Sequence, residues 1–178
     1  MSHMFVLTLT GTDRVGIVEE VTGMLLELGG NVGTSRMARL GGEFAILMLV
    51  SLPDDQAAGL QGVVEKLVAQ GYQLTTKQTV NRYAELHPDW LPYQIEVLGA
   101  DHEGIIHEVA RHLSQRGISI ETMDTETSRA PVSGAPLFSM KAQIVVPPEL
   151  QQLDWQETLQ NVGKDLNLDI QIMPGKKS

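Results

Sequence analysis

A chain of 178 residues, 42% hydrophobic but only 4% aromatic, has material for a core built from Val, Leu, Ile and Met. It has no cysteine, which excludes disulfides, thiolate nucleophiles and cysteine zinc sites. With 13 basic against 22 acidic residues the formal net charge is −9, which argues against nucleic acid or anionic membrane as a direct partner.

Met4 to Thr10 reads as a strand, with Phe5, Val6, Leu7 and Leu9. Met1-Ser2-His3 before it fits a cloning remnant. Gly11-Thr12-Asp13 is a turn, after which the period changes. Val18, Val21, Leu25 and Leu28 mark one helical face, with Asp13 the expected N-cap and Gly29-Gly30 the stop. Asn31 to Leu40 is the second strand, Gly41-Gly42 a hairpin turn, and Phe44 to Leu52 a nearly continuous apolar strand. Pro53-Asp54-Asp55 opens a second helix with Leu60, Val63, Val64, Leu67 and Val68 inside. Gly71 ends it, and Tyr72 to Val80 is a Thr-rich strand.

The order then repeats. Residues 81–92 read as a linker with two prolines. Tyr93 to Leu98 is a strand, and His102 to Arg116 a helix with Ile105, Ile106, Val109 and Leu113 inside. Strands follow at Ile118 to Thr127 and Leu137 to Val146, joined by a longer connection than Gly41-Gly42. Pro147-Pro148 leads into a helix with Leu150, Trp155, Leu159, Val162 and Leu166, and Leu168 to Met173 is the last strand. Methionines 24, 37, 48, 123 and 140 fall within these patterns and read as core filler.

Two β-α-β-β-α-β units predict an α+β chain of two ferredoxin-like domains, each an antiparallel four-stranded sheet with its helices on one face. The expected boundaries are 1–80 and 93–174, with a tail at 175–178. Units of this size bury little surface alone, so association is expected. A sharper repeat supports the duplication. Gly11-Thr12-Asp13-Arg14-Val15-Gly16-Ile17 reappears 88 positions on as Gly99-Ala100-Asp101-His102-Glu103-Gly104-Ile105.

A strand that turns through such a segment into a helix places glycines where backbone can approach a ligand and a helix start where anions bind. Asp13 suits an ammonium group, and the Asn31 amide offers donors and an acceptor. Together they suit a zwitterion, an α-amino acid. The same residues also suit a purely structural corner, with glycines for the turn and Asp13 as cap. His102 could reach a ligand at its helix start. His107 and His112 fit solvated or partly packed positions, and 102, 107 and 112 lack zinc-ligand spacing.

Glycine-x-aspartate-x-x-glycine-isoleucine after a strand, a helix closed by glycine, and then Asn31-Val32 at the next strand resembles the ACT domain, a regulatory module that binds amino acids. Two such modules without a catalytic domain are similar to the glycine cleavage system transcriptional repressor group. The resemblance implies a non-enzymatic amino-acid sensor, with glycine or serine as ligand. It also implies action through a LysR-type activator rather than by direct DNA contact. By position it implies ligand contacts from Gly11, Asp13, Arg14, Val15, Gly16, Ile17, Asn31 and Val32. The second unit offers Gly99, Asp101, His102, Gly104 and Ile105. It departs from the pattern at His102-Glu103 and at Ser119, which stands where the first unit has Asn31.

No cofactor or metal is expected. Nor is a membrane: no apolar run approaches ~20 residues, and no signal-peptide pattern opens the chain, so a cytoplasmic homodimer is expected. One alternative is a ligand-free interaction module. Another is an acylphosphatase-like hydrolase using Arg14, whose neighbours do not resemble that family's loop. An RNA-binding module would need aromatics on the central strands and a basic face; the strands at Asn31–Leu40 and Ile118–Thr127, read as central, have no aromatic, and the charge has the wrong sign.

Overall fold

The computed structural model describes residues 2–80, 87–152 and 154–175. It divides into two compact units between residues 84 and 85. In the first, β1 (Ser2–Thr12), α1 (Ile17–Glu27), β2 (Asn31–Leu40), β3 (Glu43–Pro53), α2 (Leu60–Ala69) and β4 (Gln73–Thr79) form a sheet in the order β2-β3-β1-β4. In the second, β5 (Leu91–Ala100), α3 (Ile105–Ser114), β6 (Ser119–Arg129), β7 (Pro136–Val146), α4 (Trp155–Asp165) and β8 (Leu168–Pro174) give β6-β7-β5-β8. All strand pairs are antiparallel. This is the ferredoxin-like order, present twice.

Period-two alternation sets the layers. On β1, Leu7 and Leu9 are buried, as are Ile46, Met48, Val50 and Leu52 on β3. They form one cluster with Ile17, Val21 and Leu25 of α1 and Leu60, Val63 and Leu67 of α2. The run from Phe44 to Leu52 therefore has one buried face only, and Leu47 is 48% exposed on the other. The second unit repeats this with Ile95, Val97, Met140 and Ile144 under Val109, Leu113 and Leu159.

Helix starts lie later than the periodicity suggests. Asp13 does not cap α1. The N-cap is Gly16, at φ 91° and ψ −4°, whose carbonyl accepts from Glu20 N at 2.9 Å. Gly104 does the same for α3 at φ 91° and ψ −6°. A left-handed residue at that point turns the chain three residues beyond the aspartate. The later start rotates the buried face of α1 to Ile17, Val21, Met24 and Leu25 and leaves Val18 exposed. In the same way Ile106 and Val68 lie outside, and His112, expected solvated or partly packed, is buried in α3. A 3₁₀ turn at Ala57–Gly59 precedes α2, so Pro53–Asp55 does not open that helix directly. Met37, expected as core filler, lies 38% exposed on the edge strand β2, which is paired on one side only, to β3.

The ends of α1 and β2 follow the sequence signals. Gly29, at φ 65°, donates to Leu26 O and Gly30 donates to Leu25 O, both at 2.8 Å. That pair of bonds is a Schellman stop. Gly41 and Gly42, at φ 60° and 92°, make the tight β2–β3 turn. Its counterpart in the second unit is a longer loop, closed at its base by Ala130 N to Ala135 O at 2.8 Å and Gly134 N to Ala130 O at 2.9 Å. Strand β5 begins at Leu91, inside the segment expected as linker, while residues 81–86 of that segment and 176–178 of the expected tail lie outside the described residues.

Two glycines separate the demands of packing. Gly23 sits inside α1 with nothing within 4 Å of a built Cβ, whereas a Cβ on Gly30 would meet Leu25 O at 2.7 Å and Leu52 Cδ2 at 2.8 Å. Gly23→Ala is expected to stabilise the first unit by roughly 0.5–1 kcal/mol. Gly30→Ala is expected to destabilise it by roughly 1–3 kcal/mol. Urea denaturation of both variants checks the opposite signs.

Candidate functional site

The repeated motif builds the same corner in each unit, and its two glycines do different work. Gly11 lies where β1 passes the start of β4. A Cβ there would stand 2.5 Å from Tyr72 Cδ1. Gly99 lies equally close to the start of β8, with Leu168 Cδ2 at 2.6 Å. Gly16 and Gly104 supply the left-handed turn instead, and the space beside each is open within 4 Å. Packing requires the first glycine of each motif. Backbone conformation requires the second.

Beside the first corner is an open groove of about 670 Å³, lined by Asp13, Arg14, Gly16, Ile17, Arg39 and Phe44 among others. The start of α1 faces it with the partial positive charge of a helix N-terminus. Asp13 pairs with Arg39 on β2, Oδ2 to Nε at 2.6 Å, and its backbone N donates to Gly42 O at 3.3 Å. Val15 stands fully exposed at the tip of the loop.

Arg14 is already engaged. Its Nε donates to the Tyr72 hydroxyl at 2.9 Å, and its Nη2 donates to Gln70 Oε1 at 3.2 Å and to the Glu20 carboxylate. The guanidinium also lies 5.7 Å from the Tyr72 ring centroid. Gln70 Nε2 in turn donates to Glu20 Oε1 at 2.7 Å. Gln70, then Arg14, hold the Glu20 carboxyl below the usual range, and Glu20 raises Arg14. A cation so committed ties the loop to the end of α2. It does not point a free guanidinium at an acyl phosphate. Tyr72, Gln70, Glu20 and Arg39 carry no sequence signal of their own for this network, because none lies in the repeated motif.

His102 occupies the position of Arg14 in the second unit. Its Nδ1 lies 3.1 Å from Glu103 O and its Nε2 3.1 Å from Leu166 O, at the C-cap of α4. Two carbonyl acceptors require two N–H donors, which only the imidazolium provides. The Glu103 carbonyl, then that of Leu166, raises its pKa. Asp101 repeats Asp13, with its backbone N donating to Pro136 O at 3.1 Å. Ile17 and Ile105 are buried beneath the two corners.

Asn31 and Val32 do not join the first corner within their own unit. Asn31 is in register with Ser51, and Ser51 with Met4, whereas Gly11 is in register with Phe44. Seven residues of β1 separate the two levels, roughly 23 Å at the rise of a strand. Val32 packs partly against the core. Among the described residues there is no cluster of three or more potential metal ligands, and no helix is long and apolar enough to cross a membrane.

Two duplicated α+β units, each with a glycine-turned loop at the head of its first helix, define the class: a tandem of small ferredoxin-like domains. Residues 3–77 match the family model described as the ACT domain. Over 99% of this chain and 100% of the other, the fold is shared at a TM-score of 0.86 and 34% identity with a protein of unknown function from Galdieria sulphuraria. The first unit thus matches the ACT-domain model, and the second unit repeats its fold. A solved structure provisionally named as a glycine cleavage system transcriptional repressor has the same fold at a TM-score of 0.68 and 22% identity, over 99% of each chain. The glycine cleavage system transcriptional repressor of Escherichia coli (strain K12) is 45% identical over 49 residues. That match covers 28% of this chain and spans about a quarter, 26%, of the relative's length.

The two histidines of the second unit bias stability in opposite directions. Buried His112 accepts at Nδ1 from Arg116 Nη1 at 3.3 Å, and its Nε2 lies 3.4 Å from Thr158 Oγ1. Burial, then Arg116, lowers its pKa. It therefore stabilises the fold above the ordinary histidine value of about 6.5, and that contribution is lost as pH falls through the lower folded value. His102 contributes fully below about 6.5 and loses its contribution as pH rises through its raised folded value. Thermal unfolding from pH 5 to 8 is expected to show His112→Gln losing the acid-side dependence and His102→Gln the alkaline-side dependence.

Proposed function

We propose that the chain is a non-enzymatic, cytoplasmic regulator that senses a small amino acid, glycine or serine, and passes the signal to a protein partner. The groove at the head of α1 carries this reading. It combines a helix N-terminus for a carboxylate with the Asp13 carboxylate for an ammonium group. The open space beside Gly16 admits the backbone of a small ligand and leaves little to recognise a long side chain.

Ligand contacts come from Gly11, Asp13, Arg14, Val15, Gly16 and Ile17, and at the second corner from Gly99, Asp101, His102, Gly104 and Ile105. The functional form is a homodimer, in which Asn31 and Val32, roughly 23 Å along the sheet by strand rise, serve a corner on the other copy. The partner is a transcription activator of the LysR type, in keeping with the repressor named among the relatives and with the acidic surface of this chain. Regulation follows if the ligand binds two arrangements of the modules with different affinity.

A second reading has its own support. Gly11 and Gly16 each have a structural reason, and Arg14 is fully engaged within the fold. A ligand-free interaction module needs nothing more.

Isothermal titration with glycine and serine separates the two. The sensor is expected to bind one of them in the micromolar range, with Asp13→Ala weakening it roughly 10- to 100-fold. A folded protein that gives no heat with either leaves the interaction module. A pull-down of the activator with and without the bound amino acid then tests transmission, and equal affinities would remove it.

A further inference from the structure

The Asp13 carboxylate, which would take a ligand's ammonium group, already has a cation beside it. Arg39 Nε stands 2.6 Å from Asp13 Oδ2, and both residues line the groove at the head of α1. The two partners are unequal. The Asp13 side chain is 20% exposed and its backbone N donates to Gly42 O, whereas the Arg39 side chain is 70% exposed at the rim. An ion pair with so exposed a partner contributes little to stability, so the fold loses little when it opens.

The register explains how Arg39 reaches this point. Gly11, Phe44 and Arg39 stand side by side across β1, β3 and β2. Phe44 packs against the core, so Arg39 belongs to the face that the helices cover. Arg36 pairs with exposed Leu47 and belongs to the other face, away from the groove. The second unit repeats the row as Gly99, Phe138 and Thr127. Thr127 lies 88 positions beyond Arg39, the same offset as the glycine motif. A threonine carries no charge there, and among the described residues Asp101 makes no ion pair. The neighbouring cation, His102, is committed to two carbonyls. Both signs of charge therefore face the groove of the first corner, and the second corner has no counterpart of Arg39.

We infer that Arg39 is a specificity-determining residue of the first corner: a zwitterion enters between Asp13 and Arg39, its ammonium group meeting the carboxylate and its carboxylate meeting the guanidinium. One ion pair becomes two, and no charge is left alone. An amine without a carboxylate would have to displace Arg39 and leave the guanidinium without a partner. A carboxylate without an amine would face Asp13. The guanidinium holds a carboxylate through parallel N–H donors, and the start of α1 adds its partial positive charge. The second corner, with a threonine in that place, holds an amino acid more weakly and does not require its carboxylate. The inference rests on the amino-acid reading above and names the groups that select the ligand.

Isothermal titration of the full chain with glycine, serine, glycinamide, serinamide and acetate tests it. The amides keep the ammonium group and lack the carboxylate, and acetate is the reverse. At its tighter site wild type is expected to bind glycine or serine at least about tenfold more strongly than the matching amide or acetate. Arg39→Gln is expected to weaken the amino acid by about tenfold or more and to bind the amide more tightly than wild type does, because Asp13 is then free. Damage to the fold would weaken both. Arg36→Gln is expected to change neither. An Arg39→Gln protein that keeps the amino acid's affinity, or that loses the amide along with it, overturns the role of Arg39 and leaves the amino-acid reading standing. So does a wild type that binds amide and amino acid equally. Folded wild type that binds neither glycine nor serine overturns both.

Discussion

Each unit depends on the passage from its first strand into its first helix. At that point the strand runs against the beginning of the last strand so closely that no side chain fits, at Gly11 beside Tyr72 and at Gly99 beside Leu168. A few residues later the chain takes a left-handed turn that glycine adopts without strain. The two requirements fix where the helix starts, and the start determines which helical face reaches the sheet. The buried set of α1, its exposed Val18 and the groove above it all follow from that placement.

The anchoring of the loop is the second shared feature. In the first unit a guanidinium reaches the end of α2 through Gln70 and Tyr72. In the second an imidazole reaches the last carbonyls of α4 through Leu166. The Leu166 carbonyl lies at a helix C-terminus, whose partial negative charge favours the protonated imidazole, whereas Arg14 bonds to side chains. The bonds are chemically unlike, but each ties the start of one helix to the end of the other. The loop that frames the groove is therefore held at its base and exposed at its tip, where Val15 lies.

Much of the fold was legible because its signals are local. Gly29-Gly30 and Gly41-Gly42 dictate backbone conformation wherever they occur, and the ends of α1 and β2 fell where those residues stand. The duplication was legible because the spacing of the two motifs is identical. The N-cap was not: Asp13 is a good capping residue by type, and only the φ of Gly16 reveals that the helix waits for it. That delay of three residues left Val18 outside. The interior position of His112 was hidden for a related reason, since a polar residue enters the core only where partners such as Arg116 and Thr158 meet it. Asn31 and Gly11 share one motif resemblance but stand at opposite ends of the sheet, because parallel strands begin at the same end and the corner lies at the other.

The hairpin tips show where two copies of one ancestral module were free to diverge. One tip is two glycines and admits no insertion without rebuilding its turn. The other closes its base with the Ala130 to Ala135 pair and carries Val132 fully exposed. Once the base of a loop is clamped, doubling the loop's length costs only about 0.6 kcal/mol in closure entropy. Length variation among descendants of this duplication should therefore collect at that second tip, and a fluorophore or epitope inserted there would report on the second unit without disturbing its sheet.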